Sequence, residues 1–306
     1  MIWTMLLSCG DTNKEVSEVE DTSNTEIDNV AQYRYSIAIL ADPHISGDPE
    51  HSARLLQAID WINAHAQERH IEMVPVLGDV GWGSGLAEAK NILDHLDVPY
   101  VPLIGDNEVQ YGEEQNFATV FDPQYSHLAA VYEDWNYNGQ TVWNPEEQKN
   151  SIFYNFAYSY KGIRFIGLDW AARLSGSILS ELGYLHDFTD GSWEFFVNEM
   201  SQIGQNPSNS TIFFSHIPML IGNFTEANMN QIQAVTDTYT DVIYANFAGH
   251  LHVNIDDVEH AGYEVYVTDA VWDDVITVRV IDVYQDANGF RFEQELIEFD
   301  WTVSPE

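Results

Sequence analysis

Basic residues are scarce: 11 Lys and Arg stand against 49 Asp and Glu in 306 residues, a formal net charge of −38 at pH 7. Such a surface repels polyanions and draws cations. It argues against nucleic-acid binding, which needs a basic footprint. A solvated acidic surface suited to a salty habitat accounts for the charge; binding of many cations is the sharper alternative. Cysteine is almost missing as well. Cys9 stands alone, so no intrachain disulfide can form. No apolar run is long enough to span a bilayer. The abundance lies elsewhere. Hydrophobic residues make up 45% of the chain, with nine Trp and sixteen Tyr. That supports a sizeable core, restricts disorder to the ends, and at this length fits one large α/β domain.

The apolar runs have a common ending. RYSIAILA (34–41) stops at Asp42-Pro43-His44, Met73–Leu77 at Gly78-Asp79, and Tyr100–Ile104 at Gly105-Asp106-Asn107-Glu108. Residues 50–69 and 86–96 between them carry apolar groups at helical spacing. This is a βαβαβ series with an acid at each strand's carboxyl end, the edge where open α/β sheets bind ligands. Residues 109–150, rich in Trp, Tyr, Asn and Gln, read as an insertion with one short helix near 126–134, roofing the site. Strands are expected at 151–160 and 163–168 around a Lys161-Gly162 hairpin, then a loop over 170–190 and a helix over 192–203. A strand over 211–214 ends at Ser215-His216, a helix covers 225–238, and a strand over 242–248 ends at Gly249-His250-Leu251-His252. Strand-like runs follow at 263–269, 275–284 and 290–299, the last two joined at Asn288-Gly289.

Any one of these endings is weak evidence for a metal. Five strand ends that each deliver Asp or His, while His65, His70 and His95 fall on helix surfaces, are much stronger. The ordered set resembles the calcineurin-like metallophosphoesterase family, whose pattern is Asp-x-His, Gly-Asp-x-x-Asp, Gly-Asn-His-Asp/Glu, His, and Gly-His-x-His. The likeness runs from about Ser36 to His252. It implies an α/β fold, a four-layer β-sandwich flanked by helices with the metal site at strand carboxyl ends, occupying 33–303. It also implies two divalent metal ions, Mn, Fe or Zn. Asp42, His44 and His252 would hold the first, Asp106, His216 and His250 the second, and Asp79 would bridge them. A bridging hydroxide would be the nucleophile on a small phosphate ester. Asp79 and His216 would be catalytic through the metals, and Glu108 would orient a ligand or its loop.

Three departures from the pattern bear on chemistry. Asp79-Val80-Gly81-Trp82-Gly83 lacks the family's second aspartate; Trp82 either shapes the substrate wall or is a packed loop residue. Asp106 puts a carboxylate where the family has a neutral amide. Asn107 replaces the histidine that aids leaving-group departure, and Asn can donate a hydrogen bond to substrate but cannot act as a general acid. Two divalent cations bring four positive charges, of which three carboxylates and a hydroxide would cancel all four. A phosphomonoester dianion loses much of its attraction to such a centre, and a diester monoanion loses less. A preference for diesters or activated esters is therefore expected. His127 and His186 are candidates for the missing proton donor or substrate contact, against the plainer reading of both as surface-loop histidines. Asp169 reads as closing a turn. Trp135, Tyr137 and Trp143 could stack on an aryl or nucleoside group, or simply pack the insertion.

At the N-terminus, Leu6-Leu7-Ser8-Cys9-Gly10 after a short apolar stretch resembles a bacterial lipoprotein lipobox, with Cys9 acylated. Residues 10–32 read as an acidic flexible tether. An extracytoplasmic, lipid-anchored protein is the expectation, and a cytoplasmic one the alternative. Two other functions remain open: a phosphomonoesterase or nucleotidase in which Asn107 is a tolerated variant, and a metal-bound cell-surface module without turnover.

Overall fold

The computed structural model describes residues 30–139, 141–145, 147–173, 181–185, 191–260 and 262–301. Cys9, most of the tether and His186 lie outside the described residues. The first apolar run forms β1 (Gln32–Ile39), buried from Tyr35 onward. Helix α1 (Pro49–Ala66) starts where Asp48 accepts the Glu50 N–H at 2.9 Å and Pro49 supplies a preset φ. Its buried stripe is Leu55, Ala58, Ile59 and Ile62. Strand β2 (Ile71–Val76), helix α2 (Gly85–Leu93) and strand β3 (Tyr100–Pro102) complete the series. The three strands are parallel.

Residues 109–150 are built differently from the expected loop-rich roof. After α3 (Asp106–Gln110), helix α4 runs from Glu114 to Val131. Phe117, Ala118, Phe121, Tyr125 and Leu128 form its buried face, and Pro123 sits on the exposed side. The aromatic residues and the proline hid an ordinary helical period. Strands β4 (Glu133–Asn138), β5 (Thr141–Asn144) and β6 (Lys149–Ile152) follow. Trp135 stacks on Phe156 at 5.8 Å and Tyr137 on Tyr125 at 4.7 Å. Both aromatics therefore serve packing.

The chain continues through β7 (Asn155–Tyr160), β8 (Ile163–Leu168), α5 (Ser192–Met200), β9 (Thr211–Ser215), α6 (Glu226–Thr236) and β10 (Ile243–Ala248). Strands β11 (Ile255–His260), β12 (Tyr263–Val267), β13 (Val275–Gln285) and β14 (Phe290–Asp300) close it. One sheet has the order β14-β13-β1-β2-β3, the other β11-β12-β10-β9-β8-β7-β4, and β5-β6 is a separate ribbon. Both main sheets are mixed: β1 is antiparallel to β13, while β8, β9, β10 and β12 are parallel neighbours.

The sheets pack face to face. Tyr244 stacks on Phe292 at 4.0 Å, Tyr35 meets Tyr160 edge-on at 5.4 Å, and the Tyr158 hydroxyl reaches Met73 Sδ at 3.5 Å. On the outer face of the second sheet, Phe196, Met200, Met229 and Ile232 from α5 and α6 cluster with Ile166, Phe213 and Val265. Helices α1 and α2 belong with the first sheet's core. The architecture is a sandwich of two mixed sheets with helices outside. Burying each large apolar side chain in it stabilises the fold by about 1.5–3 kcal/mol. The mechanical result is that the ends of β1, β2 and β3 meet those of β9 and β10.

Candidate metal centre

Asp42 and His44 follow β1, Asp79 follows β2, Asp106 opens α3 after β3, His216 follows β9, and His250 and His252 follow β10. The structure brings all seven together. Their ligand atoms form three groups within 4.8 Å: Asp42-His44-His252, Asp106-His216-His250, and Asp42-Asp79-His216. Asp79 lies between the first two. Its Oδ2 is 3.2 Å from His44 Nε2 and its Oδ1 is 3.5 Å from His216 Nε2. Asp106 Oδ1 is 2.8 Å from His216 Nε2 and 3.1 Å from His250 Nδ1.

The backbone is bent to achieve this. Asp42, His44, Asp79, His250 and His252 all have positive φ, between 47° and 71°. That region is uncommon for residues with a Cβ and clusters at functional sites. Two glycines make room for the side chains. A side chain at Gly105 would collide with Asp79, and one at Gly249 with Asp42. The Gly-Asp and Gly-His pairs of the sequence thus have a steric cause.

Supporting bonds fix ring and carboxylate orientations. His216 Nδ1 pairs with the Leu77 carbonyl at 2.8 Å, which requires the proton on Nδ1 and leaves Nε2 free to ligate. Glu108, fully buried, accepts from Gly81 N at 2.9 Å and Gly105 N at 2.7 Å, so it clamps two ligand loops together. Burial and the nearby charge of Asp79 push its pKa up to about 8, against the two N–H donors. Asn107 donates from its backbone N to Asp79 Oδ1 (2.9 Å) and from Nδ2 to Asp79 Oδ2 (2.5 Å). Its amide holds a carboxylate here, where the sequence suggested a substrate contact.

Burial opposes charge throughout the cluster. The imidazoles of His216, His252 and His44 nevertheless hold Asp42 below the ordinary carboxylate range, and His216 and His250 do the same for Asp106. Reciprocally, Asp42 and Asp79 push His44 up to about 9 despite its burial, and His216 rises well above its usual value beside Asp79, Asp42 and Asp106. His44 Nε2 is buried without a hydrogen bond although two carboxylates flank it. A buried nitrogen that faces two carboxylate oxygens outside hydrogen-bond geometry belongs to a donor set that fits a cation.

Trp82 lies at the rim, edge-on to His44 at 5.5 Å. His127 is not brought to the centre. It is exposed on α4, 13 residues beyond Glu114, or about 20 Å along the helix axis. Asp169 belongs to a buried network instead: Arg173 bonds it at 2.6 Å and Glu114 at 2.8 Å. Trp143 is exposed on β5.

Three neighbours escaped sequence reasoning. Gln110 Nε2 donates to Asp106 Oδ2 at 2.6 Å; its position four residues on, along one helical turn, was the available signal. Tyr111 packs against Trp82 at 5.1 Å. Trp272 stacks on His44 at 5.6 Å and meets His252 edge-on at 5.4 Å. Its loop is tied down by Val271 N to the Ala41 carbonyl and by Arg54, which donates to the Trp272 carbonyl. Nothing local marks Trp272, because its partners lie more than 200 residues away in the chain for His44 and Arg54.

Fold and site together define a class: the calcineurin-like metallophosphoesterase fold, carrying paired His/Asp clusters consistent with a dinuclear metal site. The chain is similar to a dimetal phosphatase from Danio rerio, with a TM-score of 0.58 and 12% identity over 85% of this chain and 99% of that one. A 5'-nucleotidase from Candida albicans matches with a TM-score of 0.50 and 14% identity, covering 87% of this chain and 52% of that one. A Staphylococcus aureus protein described as a 5'-nucleotidase matches with a TM-score of 0.52 and 14% identity, covering 89% and 56%. The chain thus spans about half the length of these two nucleotidases. At such identities the likeness is one of fold. No family model matches the sequence.

Proposed function

We propose that the protein is a metal-dependent phosphoesterase that favours phosphodiesters or activated esters. The observation that carries this is the position of Asp79 between two His/Asp triads, one carboxylate oxygen facing each. Asp42, His44 and His252 would hold one divalent cation, Asp106, His216 and His250 the other, and Asp79 both. Bound there, the cations would lower the pKa of a water molecule and polarise the phosphoryl group. Mn, Fe and Zn all suit this nitrogen and oxygen set.

The chain's own residues support the preference for diesters. No Lys or Arg among the described residues is ion-paired or hydrogen-bonded to any of the seven ligands. Asn107 commits one of its two amide N–H groups to Asp79 and carries no acidic proton for a leaving group. A dianionic monoester with a poor leaving group gains least from such a site; a monoanionic diester with an acidic leaving alcohol loses least.

The test is metal content by elemental analysis followed by turnover of matched aryl monoesters, aryl diesters, a nucleotide and a cyclic nucleotide. Two metals per chain and a higher kcat/KM for the diester are expected. Much higher kcat/KM for simple alkyl monophosphates would sink the preference and favour the phosphomonoesterase or nucleotidase reading, which the likeness to the two nucleotidases keeps in view. Asn107→His is expected to raise monoester turnover relative to diester; an unchanged ratio would remove position 107 as the determinant. Lipid anchoring through Cys9 is a separate part of the proposal, tested by whether Cys9→Ser moves the protein from the detergent phase to the aqueous phase.

A further inference from the structure

Trp82 and Tyr111 are joined to the first ligand triad by a short chain of contacts. Trp82 meets His44 edge-on at 5.5 Å, and Tyr111 lies 5.1 Å beyond Trp82 at an interplanar angle of 38°. Tyr111 is 58% exposed. An aromatic ring left this open forgoes burial worth kcal/mol, so an exposed ring fixed beside a reactive centre asks for a partner. The backbone beneath both rings is held in place. Tyr111 N donates to the Asn107 carbonyl at 2.9 Å, Trp82 N donates to the Ile45 carbonyl at 3.2 Å, and Asn116 Nδ2 bridges to the Gly83 carbonyl at 3.0 Å.

The other aromatics do not share these properties. Trp272 already packs against His44, His51 and His252. Trp143 and Tyr33 are exposed, on β5 and at the amino end of β1, but among the described residues neither makes a ring contact with a ligand histidine. Only the Trp82–Tyr111 pair, among the described residues, combines exposure, fixation and adjacency to a ligand histidine. We propose that this pair is the recognition platform for the organic part of the ester, and that the substrate class is phosphate esters bearing a planar aromatic group. The proposal rests on the phosphoesterase reading and adds the identity of the organic part to it. The two side chains themselves offer uncharged ring faces, which suit an uncharged planar ring.

Two non-hydrolysable monoanions that differ in one ring make the test: methyl(phenyl)phosphinate and dimethylphosphinate. Their binding to the Mn-loaded protein is measured by isothermal titration calorimetry, so no turnover is needed. The phenyl compound is expected to bind about tenfold tighter, the order of one aromatic stack. Tyr111→Ala should bring the ratio close to one. Tyr111→Phe should preserve it, because the ring and not the hydroxyl is used. Tyr111 is exposed, so these variants leave the core alone; Trp82→Ala, checked for an intact melting transition, should also collapse the ratio. Equal affinities in the parent protein, or a ratio unchanged in Tyr111→Ala and Trp82→Ala, would overturn the platform alone. Failure of both phosphinates to bind would overturn it together with the phosphoesterase reading.

Discussion

His216, in the triad with Asp106 and His250, has 2% of its side chain exposed; His252, in the triad with Asp42 and His44, has 33%. The closed half is organised by bonds among its own members and neighbours: His216 to the Leu77 carbonyl, His216 and His250 to Asp106, and Gln110 to the other oxygen of Asp106. The open half has fewer such ties and is bordered by rings, with Trp272 and Trp82 against His44. The difference separates two tasks. On the proposed function, the closed half would retain a cation and the open half would face the solvent from which a substrate comes. Asp79 couples them.

Removing the coupling should have the largest effect. Asp79→Asn takes a charge from both halves and is expected to lower kcat/KM by about 10³-fold, with metal content falling below two per chain. A variant that kept both metals and full turnover would break the picture of a shared carboxylate. Gln110→Ala acts on the closed half alone. It should weaken one of the two metal sites by about 10–100-fold and leave the other unchanged, as read by calorimetric titration. Equal weakening of both sites would erase the distinction between the halves.

The smallest effect is on pH dependence. His44 has its pKa raised from the ordinary 6.5 to about 9, so in the metal-free protein at neutral pH it carries a proton that must leave before it can ligate. Affinity at the open half should therefore rise by about tenfold per pH unit and level off near pH 9. Calorimetry of Mn binding in buffers of different ionisation enthalpy would count the released protons. No proton released at pH 7.5 would contradict the raised value.

Much of the scaffold was legible because its signals are local. The acid or histidine that ends each apolar run marks the strand ends Asp42, Asp79, Asp106, His216 and His250 without any long-range information. The βαβαβ series and the C-terminal hairpin follow from apolar period and turn residues in the same way. Helix α4 is hard to read locally because Pro123 and six buried positions that include Phe117, Phe121 and Tyr125 look unlike a propensity-driven helix; packing against the core overrides propensity there. Strand β4 was missed because its pairing with β7 supplies its order, and alternation in Glu133–Asn138 is weak. Asn107 could be identified as a departure from sequence, but not as the holder of Asp79, since that requires knowing that the ends of β2 and β3 are neighbours.

The sequence by itself determined which chemical groups stand at the carboxyl ends of the strands, because strand, turn and residue type are contiguous in the chain. Tertiary structure alone decided which of them share a cation site, which half is closed, and which rings border the opening. Those properties depend on two sheets packed face to face with their strand ends together, which brings Asp42 within 3.4 Å of His252 across 210 residues of chain. Contacts of that separation are set by packing of the whole core and leave no trace in local pattern.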